Sequence, residues 1–201
     1  MDSLLHWDLP ALIRTIGYIG LFAIVFAESG LFIGFFLPGD SLLFTAGLLA
    51  SQGYFNVWLL SLIAVAAAII GDNVGYAFGK KVGPKLFSRE DSFWFHKKNI
   101  QRAEAFYEQH GRKTIILARF IPVVRTFAPI VAGVGNMDSK IFVRYNIIGG
   151  ILWGAGVTLL GYFFGQIVPD PDKYLLPVIL AIVVISILPG LWTAYRSYAK
   201  K

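Results

Sequence analysis

Long apolar runs alternate with short polar connections along this chain. A helix that crosses a bilayer needs about 20 mostly apolar residues. Four stretches reach that length: Ile16 to Phe36, Phe55 to Phe78, Tyr145 to Val168, and Tyr174 to Tyr195, the last kinked or shortened by Pro177 and Pro189. Two further apolar stretches, Ser41 to Ala50 and Ile115 to Gly135, are too short or are broken by Pro122 and Pro129. Backbone that leaves the helix at membrane depth survives only where protein buries it or water reaches it. These two stretches are therefore expected to be re-entrant hairpins, in an all-α integral membrane protein of transmembrane helices. Between them, Ser88 to Gly111 places Phe93, Ile100, Ala103, Phe106 and Tyr107 on one helical face opposite Lys97, Lys98 and Arg102. Such a face suits a helix lying on the cytoplasmic leaflet or an amphipathic connector packed on the protein.

Composition agrees with a membrane solvent. Of 201 residues 56% are hydrophobic and 15% charged, where a soluble domain carries roughly a quarter charged residues. The length suits one membrane domain. The absence of Cys excludes disulfides, thiolate metal sites and cysteine nucleophiles. Met1 to Pro10 carries no Lys or Arg, so no charged n-region of a signal peptide is expected.

Charge adds orientation. Lys80 to Lys113 holds nine basic and four acidic residues, and Lys140, Arg144, Arg196, Lys200 and Lys201 sit at other segment ends. Ser51 to Asn56 is uncharged, and Pro169 to Lys173 has two Asp and one Lys. The positive-inside rule puts residues 80–113 and the C-terminus in the cytoplasm and those two connections outside. The net charge of +6 then reflects topology and anionic headgroups. Nucleic-acid binding is not expected, because no recognition motif accompanies the basic residues.

A shift of 86 positions superimposes Ala46-Gly47 on Ala132-Gly133, and Gly75-Tyr76, Phe78-Gly79 and Val82 on Gly161-Tyr162, Phe164-Gly165 and Val168. Phe36-Leu37-Pro38 and Phe120-Ile121-Pro122 then align within two residues. Each half has a proline-broken hairpin followed by a helix ending Gly-Tyr-x-Phe-Gly, as a repeat would. An odd number of crossings between the hairpins makes the repeats inverted: repeat one at about 16–83, a connector at about 84–113, repeat two at about 114–168, and a C-terminal transmembrane helix at about 174–195. Secondary transporters commonly bind substrate where such repeats meet.

The candidate chemistry lies on those broken segments. An ionisable side chain at bilayer depth costs about 2.5–3.5 kcal/mol even on the lenient insertion scale. Glu28 and Asp40 flank the first break, and Arg119 and Arg125 flank the second. An arginine fork holds phosphate or carboxylate by paired hydrogen bonds. Arg119 and Arg125 are thus expected to bind an anionic headgroup, while Glu28 or Asp40 exchanges a proton or releases the arginines. The competing interpretation is a set of buried structural ion pairs. Asp72 is either a third titratable group or a residue that caps or ends its helix near the cytoplasmic surface, and the second is preferred. His6, His96 and His110 lie outside the apolar segments and far apart, so neither metal nor cofactor is expected. Trp7 and Trp192 suit interfacial anchoring. Gly149, Gly150, Gly154 and Gly156 are expected to permit close helix contact rather than to bind phosphate.

Glu28-Ser29-Gly30, Phe36-Leu37-Pro38-Gly39-Asp40-Ser41, Gly71-Asp72 and Ala118-Arg119-Phe120-Ile121-Pro122-Val123-Val124-Arg125-Thr126 together resemble the DedA family of bacterial inner-membrane proteins. Its members share a domain with eukaryotic lipid scramblases of the autophagy pathway. The resemblance implies two opposed re-entrant hairpins and proton-motive-force-dependent transport of a membrane lipid, undecaprenyl phosphate or phospholipid. It also implies that the acidic and basic residues the family requires are Glu28, Asp40, Arg119 and Arg125. The expected partners are membrane lipids and protons, in a bacterial inner membrane, and a homo-oligomer is compatible with this. The alternative is a proton-coupled transporter of small solutes or cations that uses Glu28 and Asp40 directly. An enzyme is not expected, because no nucleophile stands beside a His or a metal cluster in the apolar segments.

Overall fold

The computed structural model describes residues 9–31, 39–87 and 113–168. The C-terminal segment 174–195, most of the connector, the three histidines, and Trp7 and Trp192 lie outside the described residues. All regular structure within them is helical: α1 (Leu9–Gly30), α2 (Gly39–Ser51), α3 (Val57–Phe87), α4 (Thr114–Ala118), α5 (Pro122–Val134), α6 (Ser139–Gly150) and α7 (Gly156–Ile167). A π-helical turn, Ile151–Ala155, joins the last two into a continuous span of 29 residues.

Lengths sort these helices into two kinds. At about 1.5 Å per residue, α3 and the span Ser139–Ile167 each exceed 40 Å, enough to cross a hydrocarbon core of about 30 Å. Each covers all but one or two residues of an apolar run read from the sequence and extends it by a polar or charged end. The other helices are shorter, except α1, whose 22 residues are divided by a bend at Gly17 that leaves Gly17–Gly30 as its apolar part. Expected from Ile16 to Phe36, α1 instead ends at Gly30 and bends at Gly17, whose φ of 61° only glycine adopts without strain. Hydropathy runs on past Gly30, where the helix packs so closely on α3 that a Cβ would lie 2.7 Å from the Gly71 carbonyl oxygen. In the second broken segment Pro122 supplies the break: Ile121 is extended, and the chain turns at Arg119 to Ile121 before α5 begins. Pro129, also expected to break the segment, sits inside α5 instead. It removes one main-chain hydrogen bond without ending the helix.

The direction of each helix follows from its contacts. After α2 returns along α1, the Asn56 N–H donates to the Tyr18 hydroxyl at 2.8 Å, and the Asn56 side chain caps α3 through the N–H groups of Trp58 and Leu59. Thus α1, α2 and the start of α3 share one end of the molecule. At the other end, Ile115 of α4 clusters with Tyr76, Ala132 and Phe142, and the Lys80 ammonium donates to Ser139. From there α4 points inward, α5 runs back out along α3, and α6 starts its return beneath the cap that Asp138 provides.

Two glycine-lined crossings hold the bundle together. A Cβ on Gly47 would fall on the Thr158 carbonyl, and one on Gly161 would fall on the Phe44 carbonyl, so α2 and α7 touch backbone to backbone. Gly79 meets the Ile130 carbonyl and Gly133 the Tyr76 carbonyl in the same way, which joins α3 to α5. The short helices correspond at a shift of 86 (Gly47 with Gly133, Phe44 with Ile130). The long ones correspond at 82 (Gly79 with Gly161, Tyr76 with Thr158), one helical turn away from the single shift read in the sequence. Of the four glycines expected at helix contacts, Gly149, Gly150 and Gly154 pack tightly, whereas Gly156 has open space around it.

Side-chain placement inverts the pattern of a soluble domain. Ile19, Trp58, Leu62, Leu117, Leu160 and Ile167 are largely exposed, while Glu28, Asp72, Arg119, Arg125, Asn146 and Thr158 are buried. Exposed apolar surface on this scale marks contact with lipid.

Candidate functional site

All five candidate charges gather around the middle of α3. Glu28 comes from the last turn of α1, Asp40 from the first turn of α2, Arg119 from the turn after α4, and Arg125 from the first turns of α5. Arg125 Nη1 donates to Asp40 Oδ1 at 2.6 Å, and Nη2 donates to Glu28 Oε1. One guanidinium thus bridges both carboxylates of the first broken segment. The fork geometry permits this because its two terminal nitrogens point to different acceptors. Gly39 is part of the fit, since a Cβ there would fall on the Glu28 carboxylate.

Arg119, expected to join the same carboxylates, pairs elsewhere. Its Nη2 donates to Asp72, to the Asn146 side-chain oxygen and to the Ala68 carbonyl. Asp72 therefore does not cap or end a helix: it lies midway along α3 as the buried partner of Arg119. Asn146 also donates to the Ile69 carbonyl at 3.0 Å, which fixes its amide across the α3–α6 contact. Gly149 and Gly150 make room for the arginine stem and for Ile69.

Glu28, Asp72, Arg119 and Arg125 are all buried. Among the described residues Glu28 Oε2, Arg119 Nε and Arg125 Nε have no hydrogen-bond partner. Removing one member of a buried pair costs about 3–5 kcal/mol, because the other charge is left uncompensated. Asp40 is the most open of the charges, its side chain 20% exposed where those of Glu28 and Asp72 are 3% and 5%. It lines a cleft of about 410 Å³ whose other walls are Phe44, Phe120, Trp153, Val157, Leu160 and Phe164. Phe44 and Phe164 pack against each other in its wall, their ring centres 5.5 Å apart.

Two site residues carried no signal in the sequence reading. Trp153 lies in the π-helical turn, donates its indole N–H to Asp40 Oδ1 at 2.8 Å and sits 4.7 Å from the Arg125 guanidinium carbon. Asn146 holds Arg119. Both are uncharged residues in a span read only as apolar. A tryptophan far from either end of such a span, away from the interfacial belt that tryptophan favours, was the available clue. Among the described residues no three His, Asp or Glu side chains gather as metal ligands would.

The family model described as the VTT domain matches residues 37–163, which include every site residue except Glu28. The chain is 48% identical over 197 residues to Protein DedA of Escherichia coli strain K12, covering 94% of this chain and 90% of that one. It is 46% identical over 180 residues to an uncharacterized membrane protein of Mycobacterium leprae, covering 88% and 80%. With the inner membrane protein YghB of Escherichia coli strain K12 the identity is 34% over 155 residues, covering 77% and 71%. No solved structure matches.

Proposed function

Because this chain belongs to the DedA family of VTT-domain membrane proteins, we propose that it moves a phosphate-bearing lipid, undecaprenyl phosphate or a phospholipid, across a bacterial inner membrane in exchange for protons. The observation that carries this is the Arg125 guanidinium, bridged to Glu28 and to Asp40, the latter lining an apolar cleft. A lipid phosphate is an acceptor of the same kind as the carboxylates and competes with them for the fork. A carboxylate that loses its guanidinium in apolar surroundings binds a proton more readily, and one that regains it releases the proton. The hydrocarbon chain stays in the cleft, whose single ionisable lining residue favours a lipid tail over a hydrated solute.

In this proposal α1 with α2, and α4 with α5, are re-entrant hairpins that enter from opposite faces. The two matching glycine crossings support inverted repeats. The end carrying Lys80, Lys140 and Arg144 is the cytoplasmic one, and the uncharged Ser51 to Asn56 connection lies outside. The test is a flipping assay in proteoliposomes with undecaprenyl phosphate and with phospholipids side by side. Faster flipping of at least one of them than in protein-free vesicles is the expected result. Flipping of neither, in a preparation that moves a small solute, would overturn it.

A further inference from the structure

Trp153 belongs to both the charged cluster and the cleft. Its N–H and the Arg125 Nη1 converge on the same oxygen of Asp40, its ring lies over the Arg125 guanidinium, and it forms part of the cleft wall with Phe120 and Leu160. Phe120 and Leu160 are more than half exposed on the lipid-facing surface, so the cleft opens toward hydrocarbon. The backbone beneath the indole cannot easily move, because Gly154 packs against Ala64 and Val65 of α3. The indole itself is buried, with 2% of Trp153 exposed, in an apolar core that includes Leu42, Leu43 and Ala64, so a chain in the cleft can reach it only by shifting it. A π-helical turn in a long helix frequently marks a functional position, and here it aims the indole at Asp40.

We propose that Trp153 is a positioning residue that couples the cleft to the ion pair: a lipid hydrocarbon chain entering the cleft displaces the indole, which withdraws its N–H from Asp40 and its ring from Arg125. This rests on the lipid-translocase reading for its purpose, but the coupling is testable without transport. Coupling is reciprocal. If chain entry loosens the hold on Asp40, then removing Asp40 must ease chain entry.

The measurement is fluorescence of a chain whose only tryptophan is Trp153, the other four replaced by Phe, in phosphatidylcholine vesicles whose acyl chains carry bromine as quencher. Quenching should be partial with Asp40 present and rise about twofold in Asp40→Leu, with Asp40→Asn, which retains an acceptor oxygen, in between. A chain carrying only Trp58, whose ring is exposed, reports quencher access and should not respond to either change. Equal quenching of Trp153 with and without the Asp40 side chain, or none in either, would overturn the proposal. Should Asp40→Leu fail to fold, the Asp40→Asn comparison decides by the same criterion. Lipid flipping measured on the native chain is a separate result: its absence would end the translocase reading and leave the coupling standing.

Discussion

Replacing Arg125 by Lys keeps the charge and removes the fork. In the native arrangement two nitrogens serve two carboxylates on different helices, and the planar face lies against Trp153. A single ammonium at the end of a flexible stem keeps one carboxylate in good geometry and leaves the other weakened. A hydrogen bond to a charged group contributes about 1.5–3 kcal/mol, and a desolvated cation over an indole about 2 kcal/mol. Some of each returns through the ammonium, so a destabilisation of about 2–4 kcal/mol is expected, below the full cost of breaking a buried pair. Arg119→Lys is the internal comparison, because all three Arg119 contacts come from one terminal nitrogen. An ammonium with three donors serves that arrangement better, and a loss of only about 1–2 kcal/mol is expected. Unfolding in mixed detergent micelles measures both, and flipping in proteoliposomes should fall by at least about tenfold for Arg125→Lys and by less for Arg119→Lys. Equal stability and equal transport for the two variants would refute the claim that Arg125 acts as a two-pronged bridge.

Other outcomes follow from the packing. Gly39→Ala places a methyl group on the Glu28 carboxylate and should cost about 1–3 kcal/mol and most of the transport, whereas Gly156→Ala, with open space around it, should unfold like the native chain. Gly47→Ala and Gly133→Ala should destabilise by similar amounts in the same micelle assay if the two crossings are equivalent, and a large difference would deny the equivalence. Single cysteines at Tyr54 and Lys140, in a chain with no other cysteine, test the topology. An impermeant thiol reagent should label Tyr54→Cys in intact spheroplasts and reach Lys140→Cys only after permeabilisation, and the reverse pattern would invert the orientation.

Much of the frame was legible because hydropathy and proline act locally. The cores of α3 and of the span Ser139–Ile167 lie within the apolar runs read from the sequence, and Pro122 breaks its segment through the extended backbone it imposes on Ile121. Charges within apolar runs pointed to the buried ion pairs for the same reason: Glu28, Asp40, Arg119 and Arg125 are each costly alone in an apolar medium. Partnership is not local. Nothing in the spacing says that Arg125 takes both carboxylates while Arg119 turns to Asp72, since that depends on α4 and α5 meeting different sides of α3. Trp153 and Asn146 stayed hidden because a hydropathy scan registers cost, and a neutral hydrogen-bonding residue in an apolar run costs little on that scale.

In the proposed mechanism a lipid phosphate and a proton compete through Arg125, Glu28 and Asp40. Flipping of a phosphate-bearing lipid in proteoliposomes with an imposed pH gradient tests it most directly, on the native chain beside Glu28→Gln and Asp40→Asn. The gradient should change the rate or the final distribution of lipid for the native protein, and much less for either variant. Rapid, bidirectional flipping by the native protein that ignores the gradient would make it a passive scramblase and contradict the coupling.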